Sequence, residues 1–294
     1  MTVSGPRPFS INVFLPDGTP DGLRIISKSN WTGCGVVCPR ALLPEAKKRD
    51  EFTRTGVYLL EGPSDQGELP ILYIGQGDSI RTRLDQHQLG KDFWTRAVFF
   101  VSKDGSLNRA HFLYLEAHLI ELAHEVKRVR LKNLTAPTHP KLSEADTADV
   151  ESFLADMLSI LPLVGITAFE KPKTLRREED LLYLSAKAKG AEARGYESAD
   201  GFVVLRGSRF RGDEVPSCLH YLVTIRRELE HQEALVRDAL GLLLTQDYIF
   251  NSPSTAAGVA LGRSANGRTE WKDASGRTLK EIQEASVLVE TPPE

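Results

Sequence analysis

Two short apolar segments, GVYLLEG at residues 56–62 and PILYIG at residues 70–75, constrain the fold of this chain most. Both are rich in Val, Ile, Leu and Tyr, and a loop of Pro, Ser, Asp and Gly separates them. Such segments are typical of neighbouring antiparallel strands. Downstream, the sequence predicts a short helix around residues 79–87 and a third strand at residues 93–103. The centre of the chain is therefore expected to be a three-stranded antiparallel sheet with helices beside it.

A helix is predicted over residues 107–126, because apolar side chains recur there at steps of three and four residues. Glu116 falls inside this apolar stripe, whereas Glu121 and Glu125 fall on the opposite side. A carboxylate among apolar side chains is costly unless it is hydrogen-bonded, paired or bound to a metal ion. The helix alone leaves two explanations for Glu116: a core hydrogen bond to a tyrosine or arginine, or a carboxylate that points into a cleft.

The flanking sequence completes an α/β (α+β) chain of three parts. Residues 1–50 predict a small β unit, residues 51–166 the central domain, and residues 167–294 an α+β domain. Near the end of the central domain, Ser143 with Asp146 three residues later predicts the capped start of a further helix over residues 143–161. In the last part we expect a linker and helix within residues 170–195, a strand over residues 201–210 and an amphipathic helix over residues 219–244.

Two end signals are specific in the last part of the chain. Ser252, Pro253 and Gly262 are the expected cap, first residue and terminator of a helix. Asn266-Gly267 predicts a two-residue hairpin turn before a strand at residues 268–272.

The composition limits the classes of function that are expected of this chain. The net charge of −3 argues against a uniformly basic nucleic-acid-binding surface, although basic residues cluster at residues 126–132 and, more loosely, between Lys171 and Arg227. Three cysteines do not make a disulfide framework. Cys34 and Cys38 lack a second ligand pair, which disfavours a zinc site. Without an apolar membrane span or signal peptide, we expect a cytoplasmic protein that does not bind membranes.

The central domain carries a set of polar residues in a fixed order. Gly56-Val57-Tyr58 lies on the first strand and Tyr73-Ile74-Gly75 on the second; Arg83, His87, Glu116 and Asn133 follow. Over about residues 54–140 this set resembles the GIY-YIG nuclease family. The resemblance implies a hydrolase that cuts nucleic acid, with DNA as the expected substrate. The catalytic residues that it implies are Tyr58, Tyr73, Arg83, His87, Glu116 and Asn133.

The resemblance also implies a role for each residue. Tyr58 would accept a proton from water, helped by nearby positive charge that stabilises its phenolate. Arg83 would clamp the phosphate, and Glu116 would hold Mg²⁺ or Mn²⁺. Tyr73, His87 and Asn133 would support them, with Asn133 bracing Glu116 or a loop. The alternative is a non-catalytic module that keeps the scaffold and binds nucleic acid or protein.

The C-terminal part resembles a domain of unknown function that often follows such nuclease modules. The residues that carry this resemblance are GFVVLRGS at residues 201–208 and the segment at residues 252–273. A hairpin bearing Trp271 beside Arg263, Arg268 and Lys272 could hold DNA by stacking and phosphate contacts. Equally, Trp271 could fill the core of its own domain. Oligomeric state does not follow from the sequence.

Overall fold

The computed structural model describes residues 8–63, 69–133, 135, 137–171 and 180–289. The described chain divides into two compact units, an N-terminal unit up to residue 170 and a C-terminal unit from residue 171. Each contains a β-sheet with helices, so the predicted α/β (α+β) class is confirmed. No helix in the described ranges is long and apolar enough to cross a membrane.

The N-terminal unit is built on a seven-stranded sheet in the order β1-β2-β3-β6-β4-β5-β7. Every neighbouring pair is antiparallel except β5 with β7. The strands are β1 (Ile11–Phe14), β2 (Arg24–Lys28), β3 (Gly33–Pro39), β4 (Gly56–Gly62), β5 (Ile71–Gly77), β6 (Arg96–Ser102) and β7 (Arg130–Leu131).

The predicted three-stranded antiparallel arrangement is present as β6-β4-β5, but it does not stand alone. Strand β3 pairs with β6 along its whole length, and β2 and β1 follow it. The strands expected in a separate small β unit at residues 1–50 therefore extend the central sheet. Pairing with β3 satisfies the backbone groups on the second edge of β6, which the three-stranded arrangement would leave unpaired.

Four helices cover the two faces of this sheet: α1 (Leu43–Ala46), α2 (Ile80–Gly90), α3 (Arg109–Val126) and α4 (Glu144–Ile160). Leu43, Ile80 and Leu84 pack with Tyr58 and Leu60, which places α1 and α2 on one face. We call this the tyrosine face. Helices α3 and α4 pack on the opposite face, against the side chains that alternate with those of the tyrosine face. Both long helices begin at capping residues, Asn108 for α3 and the predicted Ser143 for α4.

The C-terminal unit contains a second sheet in the order β12-β13-β11-β9-β10-β14, with β8 paired to β9. Its strands are β8 (Leu182–Ala186), β9 (Ala191–Ser198), β10 (Gly201–Val204), β11 (Arg209–Phe210), β12 (Leu235–Asp238), β13 (Gly241–Leu244) and β14 (Tyr248–Phe250). Its helices are α5 (His220–His231), α6 (Pro253–Leu261), α7 (Gly267–Glu270) and α8 (Leu279–Val289). The core of the unit contains the apolar side of α5, all of α6 from Ala256, and Trp271.

Three local predictions for the C-terminal unit are wrong, two for helices and one for a hairpin. Residues 182–198 form strands rather than a helix, and the helix predicted over residues 219–244 ends at His231. The apolar residues after it form the hairpin β12–β13, which supplies core side chains from both strands. A short apolar run fits a buried strand as well as a helix, and pairing with a neighbouring strand decides the outcome. Part of the predicted linker, residues 172–179, lies outside the described residues.

The hairpin predicted at Asn266-Gly267 is also wrong. A type I′ turn needs positive φ at both central residues, but Asn266 has φ −92° and caps α7 by accepting a hydrogen bond from the Arg268 amide at 3.0 Å. Asparagine suits both positions, since its short side chain can bond to the backbone that follows. In contrast, helix α6 begins after Ser252 with Pro253 first and ends at Gly262 with φ 61°, as predicted.

Candidate active site

The register of β4 and β5 brings the two motif tyrosines together. Tyr58 lies opposite Gly75, and Tyr73 lies opposite Leu60. Since Tyr58 and Leu60 are two residues apart, both tyrosines project from the same face of the sheet. Their ring centroids are 6.3 Å apart. Tyr58 is 0% exposed, whereas Tyr73 is half-buried, so Tyr73 is the member of the pair that solvent reaches.

The position of Gly75 explains why the second triplet ends in glycine. A Cβ atom built at this position would overlap the ring and hydroxyl oxygen of Tyr58 on the neighbouring strand. Any larger residue would push the Tyr58 hydroxyl out of place. Gly56 has a similar role in the first triplet, because a Cβ there would meet the backbone oxygen of Phe100 on β6.

His87, on α2, contacts both tyrosines. Its Nε2 atom lies 2.7 Å from the Tyr58 hydroxyl oxygen, and its ring centroid lies 5.0 Å from that of Tyr73. Burial lowers the pKa of His87 to about 4, and the positive charges of Lys91 and Arg83 add to this effect. The imidazole is therefore neutral at pH 7, and its Nε2 can accept a proton from Tyr58.

Arg83 precedes His87 by one helical turn and extends toward β5. Its Nε donates to the backbone oxygen of Gln76 at 3.3 Å, and one terminal nitrogen donates to Gln86 at 3.2 Å. The side chain passes over Gly77, where a Cβ atom would overlap it. No described carboxylate forms an ion pair with Arg83. Its guanidinium charge is thus available to an anion.

The pKa of Tyr58 does not shift as the resemblance implied. Burial raises it above its usual range, the neighbouring Tyr73 raises it further, and the opposing effect of Arg83 is smaller. Burial also raises the pKa of Tyr73, followed by the negative charge of Glu116. Arg83 does lower the pKa of Tyr58, as expected of a nearby positive charge, but burial outweighs this effect in the protein alone. Proton transfer from Tyr58 needs an acceptor, and His87 is in position to be one.

Glu116 lies on α3, and its charge acts on both tyrosines and on Arg83. Burial raises the pKa of its carboxyl to about 7, and Arg83 only partly opposes this shift. Glu116 makes no hydrogen bond or ion pair with any residue in the described ranges, so the core hydrogen-bond explanation finds no support. A half-buried carboxylate without a partner is the kind of group that a bound cation stabilises.

A magnesium-like ion would depend on Glu116 alone. The described residues contain no cluster of three or more His, Cys, Asp or Glu side chains that could hold a metal ion. Mg²⁺ commonly takes one or two carboxylates and completes its coordination with water and substrate phosphate. The unpartnered carboxylate of Glu116 therefore fits this mode of binding, and a closed protein cage does not form.

Asn133 braces the sheet rather than Glu116. Its side-chain nitrogen donates to the Ile74 oxygen at 2.7 Å, and its side-chain oxygen accepts from the Ile74 amide at 2.9 Å. These two bonds continue the edge of β5 beyond the short strand β7. Asn133 thereby fixes the backbone between Tyr73 and Gly75.

One residue in contact with the motif side chains escaped the sequence analysis. Lys91 follows α2, and its Nζ lies 4.3 Å from the centre of the Tyr73 ring. Its position four residues after His87, itself four after Arg83, was the available signal, because residues at this spacing share one face of a helix.

The other candidates of the sequence analysis are structural. Trp271 is fully buried, packs on Phe202 at 4.5 Å between ring centroids, and donates its indole N–H to the Pro253 oxygen at 3.0 Å. It fills the core of the C-terminal unit and cannot stack on a base. Cys34 and Cys38 are buried free thiols; burial raises the pKa of Cys38 to about 12, which opposes metal binding by its thiolate.

Comparison with known proteins identifies only the C-terminal unit. Residues 182–283, from the start of β8 into α8, match a family model described as Domain of unknown function (DUF4357). The comparison gave no match to the GIY-YIG family. No curated protein and no solved structure matched the chain. The C-terminal unit is therefore similar to this family over residues 182–283, and the nuclease resemblance of the N-terminal unit rests on its own residues.

Proposed function

We propose that this protein is a divalent-metal-dependent endonuclease of the GIY-YIG type that hydrolyses phosphodiester bonds in DNA. The observation that carries the proposal is the convergence of Tyr58, Tyr73, His87, Arg83 and Glu116 at one place on the N-terminal unit. The site combines a proton acceptor, an unpaired cation and an unpaired carboxylate. Phosphodiester hydrolysis needs these three functions.

The Tyr58–His87 hydrogen bond supplies the proton path. The attacking water approaches past Tyr73, the half-buried member of the pair, and loses a proton to the Tyr58 hydroxyl oxygen. Tyr58 passes its own proton to the neutral Nε2 of His87, which lies 2.7 Å away. Tyr58 thus ends the step uncharged, and its high pKa no longer prevents it from acting as a base.

Arg83 and Glu116 act on the phosphate. The planar guanidinium of Arg83 can donate two parallel hydrogen bonds to phosphate oxygens, which stabilise the charge that develops during attack. A divalent cation held by Glu116 would supply Lewis-acid stabilisation of the phosphate and of the leaving oxygen. In the metal-free protein, the Glu116 carboxyl is half-protonated near pH 7, since its pKa is about 7. Cation binding therefore displaces a proton.

A cleavage assay tests the proposal. Purified protein is incubated with supercoiled plasmid, single-stranded DNA and RNA, each with Mg²⁺, Mn²⁺ or EDTA. We expect metal-dependent cleavage of DNA, and no cleavage by a Glu116→Gln variant purified in parallel. Binding of DNA without cleavage under every metal condition would instead support the alternative, a non-catalytic nucleic-acid-binding module on the same scaffold.

A further inference from the structure

Two lysines lie on either side of Tyr73 on the tyrosine face. The first, Lys91, is half-buried, and its ammonium group sits 4.3 Å above the centre of the Tyr73 ring. The positive charge of Lys91 reaches His87 as well. Lys91 therefore holds a charge directly beside the groups to which the proton transfer is assigned.

The second lysine, Lys132, follows β7 at the free edge of β5. Its amide donates to the Leu72 oxygen at 2.8 Å, which continues the parallel ladder in which Leu131 pairs with Leu72. Continuing this register by one residue aligns Lys132 with Tyr73. Leu131 and Val129 pack on the face covered by α3 and α4. Because side chains alternate along a strand, Lys132 projects from the tyrosine face, beside Tyr73.

Neither lysine is neutralised by the protein. Within the described ranges, no carboxylate forms an ion pair with Lys91 or Lys132. The acids of the adjoining helix and turn have other partners: Asp85 pairs with Lys47, and Asp78 pairs with Arg109. Asp92, next to Lys91 in sequence, is exposed and forms no ion pair with it. With Arg83, the two lysines make three cations near Tyr73 that form no ion pair with a carboxylate in the described ranges, and the charge of Glu116 acts on Tyr73 and on Arg83.

We infer that Lys91 and Lys132 bind the phosphates that flank the scissile phosphate, so that the substrate strand crosses the tyrosine face from the end of α2 to the edge of β5. This inference rests on the proposed function, because Arg83 is taken to hold the scissile phosphate itself. A lysine whose ammonium group solvent reaches can leave a tyrosine ring for a phosphate at little cost, since its cation–π contact is weak. The two lysines then add affinity and set the direction of the strand, while chemistry stays with the residues between them.

Binding measurements without cleavage test the inference separately from the proposed function. In a full-length Glu116→Gln background and without divalent ions, the affinity for a fluorescent DNA duplex is measured at several salt concentrations. Lys91→Gln and Lys132→Gln are compared with Lys141→Gln, which removes the same charge from an exposed loop residue that precedes α4. Each site variant should lower affinity roughly three- to tenfold at 0.1 M salt and reduce the salt slope by about 0.9. The Lys141 variant should change neither.

Steady-state kinetics with Glu116 intact provide the second readout. Flanking phosphates are held equally in the ground state and in the transition state, so Lys132→Gln should raise KM and leave kcat within about twofold. Lys91→Gln should raise KM as well, but its kcat should also change, because the charge of Lys91 lowers the pKa of His87. Equal affinities and salt slopes for all three lysine variants, or no DNA binding by the parent protein, would overturn the inference even if the wild-type enzyme cleaves DNA. Loss of affinity in the two site variants would support it, and a wild-type protein that never cleaves would overturn only the proposed function.

Discussion

Glu116 in the N-terminal unit and Arg226 in the C-terminal unit are both charged side chains on helices, and both are withdrawn from solvent. Arg226, on α5, is 1% exposed and is fully satisfied: it pairs with Glu214 at 3.0 Å and donates to the backbone oxygens of Val259 and Arg211. Glu116 has no such partner in the described residues, and burial raises its pKa to about 7.

The difference separates two uses of a buried charge. Arg226 ties the middle of α5 to the end of β11 and to α6, and its hydrogen bonds offset the cost of burying it. In the N-terminal unit, no hydrogen bond or ion pair within the described residues offsets the cost of burying the Glu116 carboxylate. A bound cation would offset it. A charge that the fold satisfies belongs to stability, and a charge that the fold leaves unsatisfied marks a place for a ligand.

The largest effect should come from Glu116 itself. Glu116→Ala should reduce metal-dependent cleavage on the order of a thousandfold, because the developing charge on the phosphate loses its cation. The circular dichroism spectrum should stay unchanged. If activity instead fell only in proportion to the amount of folded protein, Glu116 would be a structural residue like Arg226. The contrast between the two charges would then be wrong.

Arg83 tests the unpaired cation of the same site. Arg83→Lys should lose at least about a hundredfold in kcat/KM, nearly as much as Arg83→Ala, since lysine keeps the charge but loses the planar two-point contact with phosphate. Measured kcat/KM for both variants on one DNA substrate gives the answer. Full activity of the lysine variant would mean that Arg83 provides only a general positive field.

Arg226 should show the opposite pattern. Arg226→Ala should destabilise the C-terminal unit by about 2–4 kcal/mol, because it leaves buried backbone oxygens without a donor. The exposed neighbour Arg227 is the matched control, and Arg227→Ala should change stability by less than about 0.5 kcal/mol. Urea unfolding followed by tryptophan fluorescence measures both, in a Trp31→Phe, Trp94→Phe background in which Trp271 is the one tryptophan left. Equal stabilities would show that the hydrogen bonds of Arg226 do not stabilise the unit.

The pH dependence of stability sharpens the contrast. The folded-state pKa of Glu116, about 7, lies above the ordinary value of 4.5, so its contribution is fully present below pH 4.5 and is lost as pH rises through 7. In metal-free protein, Glu116→Gln should therefore gain roughly 1–3 kcal/mol relative to wild type between pH 4.5 and pH 8. Urea unfolding of the N-terminal unit across this range checks it. Added Mg²⁺ should narrow the gap at pH 8, since only the wild type keeps the carboxylate.

The smallest effect concerns the basic residues of the C-terminal unit. Arg263 pairs with Glu270 at 2.7 Å, and Arg268 lies 4.0 Å from Glu284. With these charges partly compensated and Trp271 buried, a double Arg263→Gln, Arg268→Gln variant should weaken DNA binding by no more than about threefold. A larger loss than that of the Lys91 and Lys132 variants would assign most of the DNA affinity to the C-terminal unit, as the basic clusters in the sequence first suggested.

Local patterns determined the elements that carry the site. The apolar runs around Tyr58 and Tyr73 gave the central strands, the three- and four-residue spacing gave α3, and the capping residues Ser143 and Ser252 marked where helices begin. These signals suffice because each depends on neighbours within about one helical turn or across one short loop. The order of the motif residues likewise predicted which side chains belong to the candidate site.

Only the tertiary structure determined the contacts, the burial and the pKa shifts of the site residues. Strand register placed Gly75 under the Tyr58 hydroxyl and gave Asn133 to Ile74 rather than to Glu116. Burial reversed the expected shift of the Tyr58 pKa, and packing hid Trp271. These outcomes depend on contacts between residues far apart in the chain, and on how much solvent each group loses. Sequence fixes which charges exist, but desolvation and distance determine what those charges do.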